Sequence, residues 1–398
     1  MPTKKNSSCV GEDKFLCGPH TLARGLCVKT RKNCRERTLD KRQRPATKVN
    51  NIGKNYGYEE ENLGRGCYTQ MDHLVLNYEK VNEKFDDVPD KFKLMTYNIW
   101  GLDKPKLRRL FSLRKGLLVK TISDLNADML CLQEMSEFSY GALKDYIGTY
   151  KFASEVPLLD TTKNRNHAIE VYYVSKYVPR RIAIYSLPGV LNYTNSLMVV
   201  EYKKLVIFNL YNQAGSKFSI GQEEKWLHYA RCRYDIINII YDMIKSKYKG
   251  YSVVVCGDFN FHLDGDVEEW PESAILNKFY RDGFSDTYRQ SNKDLGLTEN
   301  TDSNLMRYNQ KLIHKKFRYD AILYKSVRGW QCTKSRVFGK DIVYLNEADS
   351  EWFFNEVSEA KHKGVGIEGL KGVKKHGRGF RLPINASDHF GVVNTFSK

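Results

Sequence analysis

The chain has 398 residues and carries 64 Lys+Arg against 47 Asp+Glu, a net charge of +17. Hydrophobic residues make up 41% and aromatics 13%, which excludes wholesale disorder and provides for a sizeable core. No run approaches the roughly 18–20 apolar residues of a membrane span, and the start lacks an apolar signal core. The expectation is an intracellular protein of the cytoplasm or nucleus with no membrane span.

The charge is uneven. Residues 1–50 hold 13 Lys/Arg and 4 acids, so +9 of the total sits in about an eighth of the chain. This pattern suggests a basic arm on a moderately basic domain, seeking phosphate on nucleic acid or on an anionic membrane surface; a solvated tail is the plainer reading. Nine cysteines, an odd count, argue against a disulfide framework. Cys9, Cys17, Cys27, Cys34 and Cys67 cluster in the basic segment near His20. Their spacing lacks the close Cys pair of zinc modules, so free thiols in a loosely ordered segment are favoured over a zinc site.

Up to about residue 70 there is little apolar periodicity, and the segment Thr38–Pro45 resembles a linker or nuclear-targeting patch. Regular structure becomes legible near Lys91. Residues 1–90 are therefore assigned to a basic, Cys-containing, partly disordered extension, and 91–398 to the main domain. A strand over Phe92–Ile99 runs into Gly101, and Leu107, Leu110, Leu117, Leu118, Ile122 and Leu125 mark one face of a helix. A short buried strand follows from Met129 and ends at Glu134. The segment Leu205–Asn209 reads as a strand, and Gly221–Tyr248 as a long amphipathic helix carrying Trp226, Ala230, Ile236, Ile237, Ile240 and Ile244. Ser252–Cys256 is an apolar strand predicted to break at Gly257, and later strands are expected over Tyr319–Tyr324 and Phe390–Phe396. Cys131 and Cys256 lie in apolar runs and read as small core residues. Strands and helices interleave over the domain, which indicates a layered α/β class without an internal sequence repeat.

Acids and amides recur at the ends of these strands: Asn98, Glu134, Asp258 with Asn260, Asp320, and Asp388 with His389. Each alone is readable as turn or capping chemistry. Together they point to a site, because an acid following an apolar strand costs stability unless it binds something.

In chain order, Thr96-Tyr97-Asn98-Ile99-Trp100, Leu132-Gln133-Glu134-Met135, Gly257-Asp258-Phe259-Asn260, Arg318-Tyr319-Asp320 and Ser387-Asp388-His389 resemble the endonuclease/exonuclease/phosphatase (DNase I-like) superfamily. The likeness covers about residues 91–398. It implies a four-layer α/β sandwich, two packed mixed β-sheets flanked by helices. It also implies a hydrolase that cleaves phosphate esters with Mg²⁺ or Mn²⁺, hard cations suited to carboxylate and amide oxygens. By resemblance, Glu134 is the main metal ligand, with Asn98 beside it and Asp388 a second carboxylate near the metal. Asp258 would deprotonate the attacking water and Asn260 would donate to a phosphate oxygen. His389 would bind the scissile phosphate, with Asp320 fixing its tautomer.

One position departs from the commonest family pattern. Tyr211, in Asn209-Leu210-Tyr211-Asn212, stands where many members have His, as it does in abasic-site endonucleases. A phenol can donate to phosphate as well, and Asn212 is a candidate substrate contact, the alternative being a core aromatic followed by a loop residue. Arg318 or Asn304 is expected to help shape the site, and Asp286 to organise the sheet. His262 and His167 are ambiguous between pocket and surface. The segment Lys361–Arg381 holds seven Lys/Arg, including Lys374, Lys375 and Arg378, against Glu368 alone, among six glycines. It is expected to pack no core and to reach over a polyanionic substrate, or else to be a solvated loop.

The favoured expectation is a nuclease hydrolysing DNA or RNA. A phosphatase or lipid phosphodiesterase acting on an inositol phosphate or anionic lipid is the alternative, and a non-catalytic scaffold the third reading. DNA versus RNA, endo versus exo action, the number of metal ions and the oligomeric state stay open. Lys-, Asn- and Tyr-rich usage suits an AT-rich genome, such as that of a large DNA virus.

Overall fold

A computed structural model describes residues 75–154, 171–187, 195–215, 223–267, 269–312, 314–377 and 379–398. The N-terminal cysteines, the basic arm and His167 lie outside these residues, as does Arg378. Two mixed sheets stack face to face. One runs, in spatial order, Val75–Val81, Arg181–Leu187, Asn195–Glu201, Leu205–Tyr211, Ser252–Asp258, Asp320–Lys325, Ser285–Asp286. The other runs Gln331–Phe338, Gly391–Ser397, Lys91–Gly101, Met129–Met135, Val171–Ser175, Phe152–Ala153.

Each sheet contains one parallel pair, Lys91–Gly101 with Met129–Met135 and Leu205–Tyr211 with Ser252–Asp258; the other neighbours are antiparallel. A parallel pair needs a crossover, supplied by helices Pro105–Leu125 and Glu223–Lys247. The first begins at Pro105, whose missing N–H is no loss in a first turn, and ends at the left-handed Asn126. Its Phe111, Leu118, Ile122 and Leu125 are buried on the outer face of their sheet, against Met95, Tyr97, Leu130 and Leu132. The second helix covers the outer face of the other sheet with Ile236, Ile237, Ile240 and Ile244. Between the sheets lies a third apolar layer, in which Leu94 and Cys131 meet Ile207, Val254, Cys256 and Ile322. The architecture is the helix–sheet–sheet–helix sandwich expected from the sequence.

Three expectations need correction. The strand Val75–Val81 falls within the segment assigned to the N-terminal extension, yet it pairs antiparallel with Arg181–Leu187 at the edge of the sheet. Trp330 also donates from its indole N–H to the Pro89 carbonyl at 3.1 Å, so the folded domain begins no later than Val75. Gly257 does not end its strand. The chain passes through it to Asp258 at φ 139°, and a Cβ there would lie 1.9 Å from the Leu210 carbonyl oxygen on the parallel neighbour. Only glycine permits that approach. Finally, the Gly-rich basic segment packs a core after all. Its Leu370, Val365, Val373 and Phe380 gather with Trp100, Leu110, Met306, Phe353, Ala360, Leu382 and Ile384. Scattered single apolar residues achieve this because Pro383–Asn385 pairs with Ile342–Tyr344 and Lys374–His376 with Gly379–Arg381, folding the segment back on itself.

Candidate active site

Strand alternation decides which side chains enter the space between the sheets. Asn98 shares parity with Leu94, Asp258 with Val254 and Cys256, and Tyr211 with Ile207, all of them inner positions. Asp258 is paired directly with Asp320 on one side and Tyr211 on the other. Glu134 is different. It shares parity with Leu130 and Leu132, which face outward. Left-handed backbone at Glu134 (φ 52°) and Trp100 (φ 50°), where the parallel register breaks between Asn98 and Gly101, turns Glu134 back to the inner side. Such a conformation costs roughly 1–2 kcal/mol for a non-glycine residue and is a mark of functional sites.

The result is a connected polar cluster at one end of the sandwich. The Asn98 amide donates to Glu134 Oε1 and to Asp258 Oδ2, both at 2.9 Å. Tyr211 donates its hydroxyl to Glu134 Oε1 at 2.9 Å. Asp258 Oδ1 accepts the backbone N–H of Asn260 at 2.8 Å. His389 Nδ1 lies 2.9 Å from Asp320 Oδ2. All are buried except Asn260, which is partly exposed. Glu134 Oε2 and Asp320 Oδ1 are buried without a hydrogen-bond partner.

Electrostatics follows from four carboxylates facing one imidazole. Burial, with the Asp320 charge adding to it against His389, pushes the Asp258 carboxyl up to about 8. Burial and the Asp388 charge raise Glu134, although Asn98, His389 and Tyr211 oppose them. Burial alone would lower His389, but the charges of Asp320, Asp258 and Asp388 outweigh it and hold the ring protonated well above its usual range. Ligand atoms of Asp258, Asp320 and His389 fall within 4.8 Å of one another, close enough for a metal site. A protonated, Asp320-bound imidazolium is a poor ligand, however. The orphaned Glu134 Oε2, beside the Asn98 amide, offers the oxygen a hard cation needs.

The loop that carries His389 is tied down from several sides. Ser387 donates its hydroxyl to the Asn98 carbonyl at 2.7 Å, and the Asn304 amide donates to the Ser387 carbonyl at 3.0 Å. Arg307 reaches Asp388 Oδ2 at 3.1 Å and also pairs with the fully buried Glu299, which accepts from Lys315 as well. Buried Arg114 donates to the carbonyls of Ile99 (2.9 Å), Trp100 (2.6 Å) and Ala386, joining the left-handed turn to the His389 loop. Sequence reasoning missed Arg114, Arg307 and Glu299. The available signal was a basic residue on the apolar face of the first helix, and the Arg and Glu flanking Asn304.

The expected substrate contacts fare differently. Arg318 is 1% exposed, with its guanidinium bonded to Asp264 at 2.8 and 2.7 Å and to Asp286 at 2.7 Å. Those carboxylates occupy it, so it ties the sheet rather than lining the site. Asn212 is fully buried; its side-chain oxygen accepts from Gln213 N–H at 2.8 Å and its amide donates to the Arg233 carbonyl. The Asn260 amide donates to the Asn212 carbonyl at 2.9 Å, in a turn left-handed at Asn260. Lys374 stacks over Tyr344 and Lys375 is exposed, both on the hairpin of the satellite core. His262, half-buried, accepts from the Arg318 N–H and packs against Trp270 and Phe317. Asp286 caps the helix Thr287–Ser291.

Among the described residues no helix is long and apolar enough to cross a membrane. No curated protein matches the sequence. Several solved structures share the fold. D. rerio TDP2 complexed with a single-strand DNA product is 15% identical, with a TM-score of 0.50, covering 78% of this chain and 100% of that one. A Bacteroides thetaiotaomicron endonuclease/exonuclease/phosphatase family protein is 13% identical, with a TM-score of 0.51, covering 78% and 98%. The mannosyl-6-phosphatase Bt3783 of the same bacterium is 13% identical, with a TM-score of 0.50, covering 77% and 99%. The model of the Endonuclease/Exonuclease/phosphatase family matches residues 95–298, just over half the chain and the segment that holds Asn98, Glu134, Tyr211 and Asp258. With its two-sheet sandwich and the acids gathered at one end of it, the chain belongs to this family of phosphoesterases, whose members generally depend on a divalent metal.

Proposed function

We propose that the chain is a Mg²⁺- or Mn²⁺-dependent phosphodiesterase that hydrolyses DNA or RNA. The observation that carries this reading is the arrangement around Asn98, which bridges Glu134 and Asp258 while the His389–Asp320 pair stands within 4.8 Å of Asp258. Glu134, with an unpartnered Oε2, would hold the cation, oriented by Asn98, whose Nδ2 donates to it and whose Oδ1 accepts the Trp100 N–H, and Asp388 would be the next carboxylate. When bound, the cation neutralises charge on the phosphate and lowers the pKa of water.

The protein's own groups supply the remainder. Asp258, with its carboxyl near 8, is placed to accept a proton from the attacking water close to neutral pH, where a general base works best. Two hydrogen bonds, from Asn98 and the Asn260 N–H, fix its orientation. His389, kept cationic by Asp320, presents its other ring N–H to a non-bridging phosphate oxygen as negative charge accumulates. Tyr211 orients Glu134 through its hydroxyl. Asn260 is placed by its turn, and Arg318 and Asn212 leave the substrate-binding set.

Nucleic acid is favoured as substrate by the two basic segments and by the fold shared with a TDP2 that binds a single-strand DNA product. Lys374 and Lys375, on the satellite hairpin, and Arg378 are the proposed backbone contacts. The test is a substrate panel with Mg²⁺: abasic duplex, single-stranded DNA, poly(A) RNA, sphingomyelin, an inositol polyphosphate and a sugar phosphate. Cleavage of a nucleic acid is expected. Turnover confined to the last three would replace the nuclease reading with a phosphatase or lipid phosphodiesterase.

A further inference from the structure

The helix Leu305–Lys311 follows Asn304, its N-cap. Positions 304, 307 and 311 share one face at helical spacing. The first two are engaged with the catalytic loop, Asn304 with the Ser387 carbonyl and Arg307 with Asp388. Lys311 is partly buried on the same face, one helical turn beyond Arg307. Its ammonium nevertheless has no hydrogen-bond or ion-pair partner among the described residues, whereas Arg307 and Lys315 share Glu299. Its backbone carbonyl is held by Lys363 at 2.8 Å, which anchors the end of the helix.

A partly buried cation beside two other cations is costly. Burial, then Arg307, lowers the pKa of Lys311 from its usual value. Every other cation of this cluster has a carboxylate at hydrogen-bond distance. The arrangement is relieved by an anion arriving next to the Asp388 loop.

We propose that Lys311 is a substrate-binding residue that takes a phosphate oxygen of the substrate on the Asp388 side of the site. This rests on the phosphoester reading above, but the ligand chemistry it names, a phosphate dianion or diester, is testable without turnover. The ammonium donates one charge-assisted hydrogen bond; Asp258 and His389 handle the protons. Lysine suits this task as a point charge that does not dictate bidentate geometry.

The experiment is calorimetric titration of the full chain with inorganic phosphate, for wild type, Lys311→Met and Lys311→Arg, with near-UV circular dichroism to verify folding. Methionine keeps the methylene stem and removes the charge. The expected result is about tenfold weaker phosphate binding in Lys311→Met and near wild-type binding in Lys311→Arg. In hydrolysis the same charge should appear as a raised KM with kcat changed less than threefold. Equal phosphate affinity in wild type and a folded Lys311→Met, or no phosphate binding by either, overturns the proposal. If Lys311→Met fails to fold, Lys311→Gln takes its place under the same criterion. Loss of phosphate binding in a protein that cleaves no nucleic acid would keep the inference and reject the nuclease reading.

Discussion

Replacing Asp258 by Asn should abolish hydrolysis and also make the metal-free protein more stable, increasingly so as pH rises. The carboxyl titrates near 8 in the folded chain, from a reference of 3.8. Between these values the folded state binds more protons than the unfolded one, so stability falls as pH rises through that window. Asp258 therefore contributes fully below its unfolded pKa, and the contribution is lost as pH passes 8. Each pH unit inside the window is about 1.4 kcal/mol, so the cost grows by roughly 4 kcal/mol between pH 5 and pH 8. Asn does not titrate. Its amide faces the Asn98 donor or the Asn260 N–H where Asp258 accepted both, an offset of about 1–3 kcal/mol that is constant with pH. The assay is urea unfolding of wild type and D258N in EDTA from pH 5 to pH 8.5. The difference in unfolding free energy should swing toward the variant by several kcal/mol. Glu134 is common to both proteins, so much of its pH dependence cancels; His389 loses the Asp258 charge in the variant, which lowers its pKa and offsets part of the swing at the high-pH end. Parallel stability curves, or a variant that loses ground as pH rises, would refute the assignment of Asp258 as a strained, buried acid.

Two further outcomes separate support of the fold from chemistry. Arg318→Ala leaves the buried Asp286 without its ion pair, while Asp264 keeps Arg289, and should destabilise the chain by about 3 kcal/mol in thermal or urea unfolding, while the folded fraction keeps its KM; an unchanged stability with a raised KM would restore Arg318 to the substrate site. Gly257→Ala forces a Cβ to 1.9 Å from the Leu210 carbonyl at a positive φ, and should cost about 3–5 kcal/mol or prevent folding, read by soluble yield and melting temperature.

Much of the sandwich was legible because its strands are apolar runs that end in an acid or amide, and because both crossover helices show clear helical spacing. The strand Val75–Val81 was not, since its mixed polar and apolar sequence makes sense only as an edge strand against Arg181–Leu187, about a hundred residues away. Asn98, Asp258 and Asp320 follow inner-face parity and were readable as convergent. Glu134 was identified by motif alone, as strict alternation sends it outward and only the left-handed backbone brings it in. The ion pairs of Arg318 are not legible, because a sequence does not reveal that Asp264 and Asp286 converge on one guanidinium. Lys311 was passed over for the opposite reason. A lysine in a Lys-rich stretch is unremarkable until the fold shows its neighbours paired and itself alone.

The central claim is metal-dependent cleavage of a phosphodiester at the Glu134–Asp258–His389 cluster. Its most direct test is the rate of single-stranded DNA or RNA cleavage as a function of Mg²⁺ for wild type and Glu134→Ala, with EDTA as the zero point. The account predicts saturable activation of wild type, none in EDTA, and at least a hundredfold loss in a folded Glu134→Ala at any Mg²⁺ concentration, in keeping with the effect of removing a group that stabilises transition-state charge. Undiminished cleavage in EDTA, or a Glu134→Ala variant as active as wild type, would contradict it.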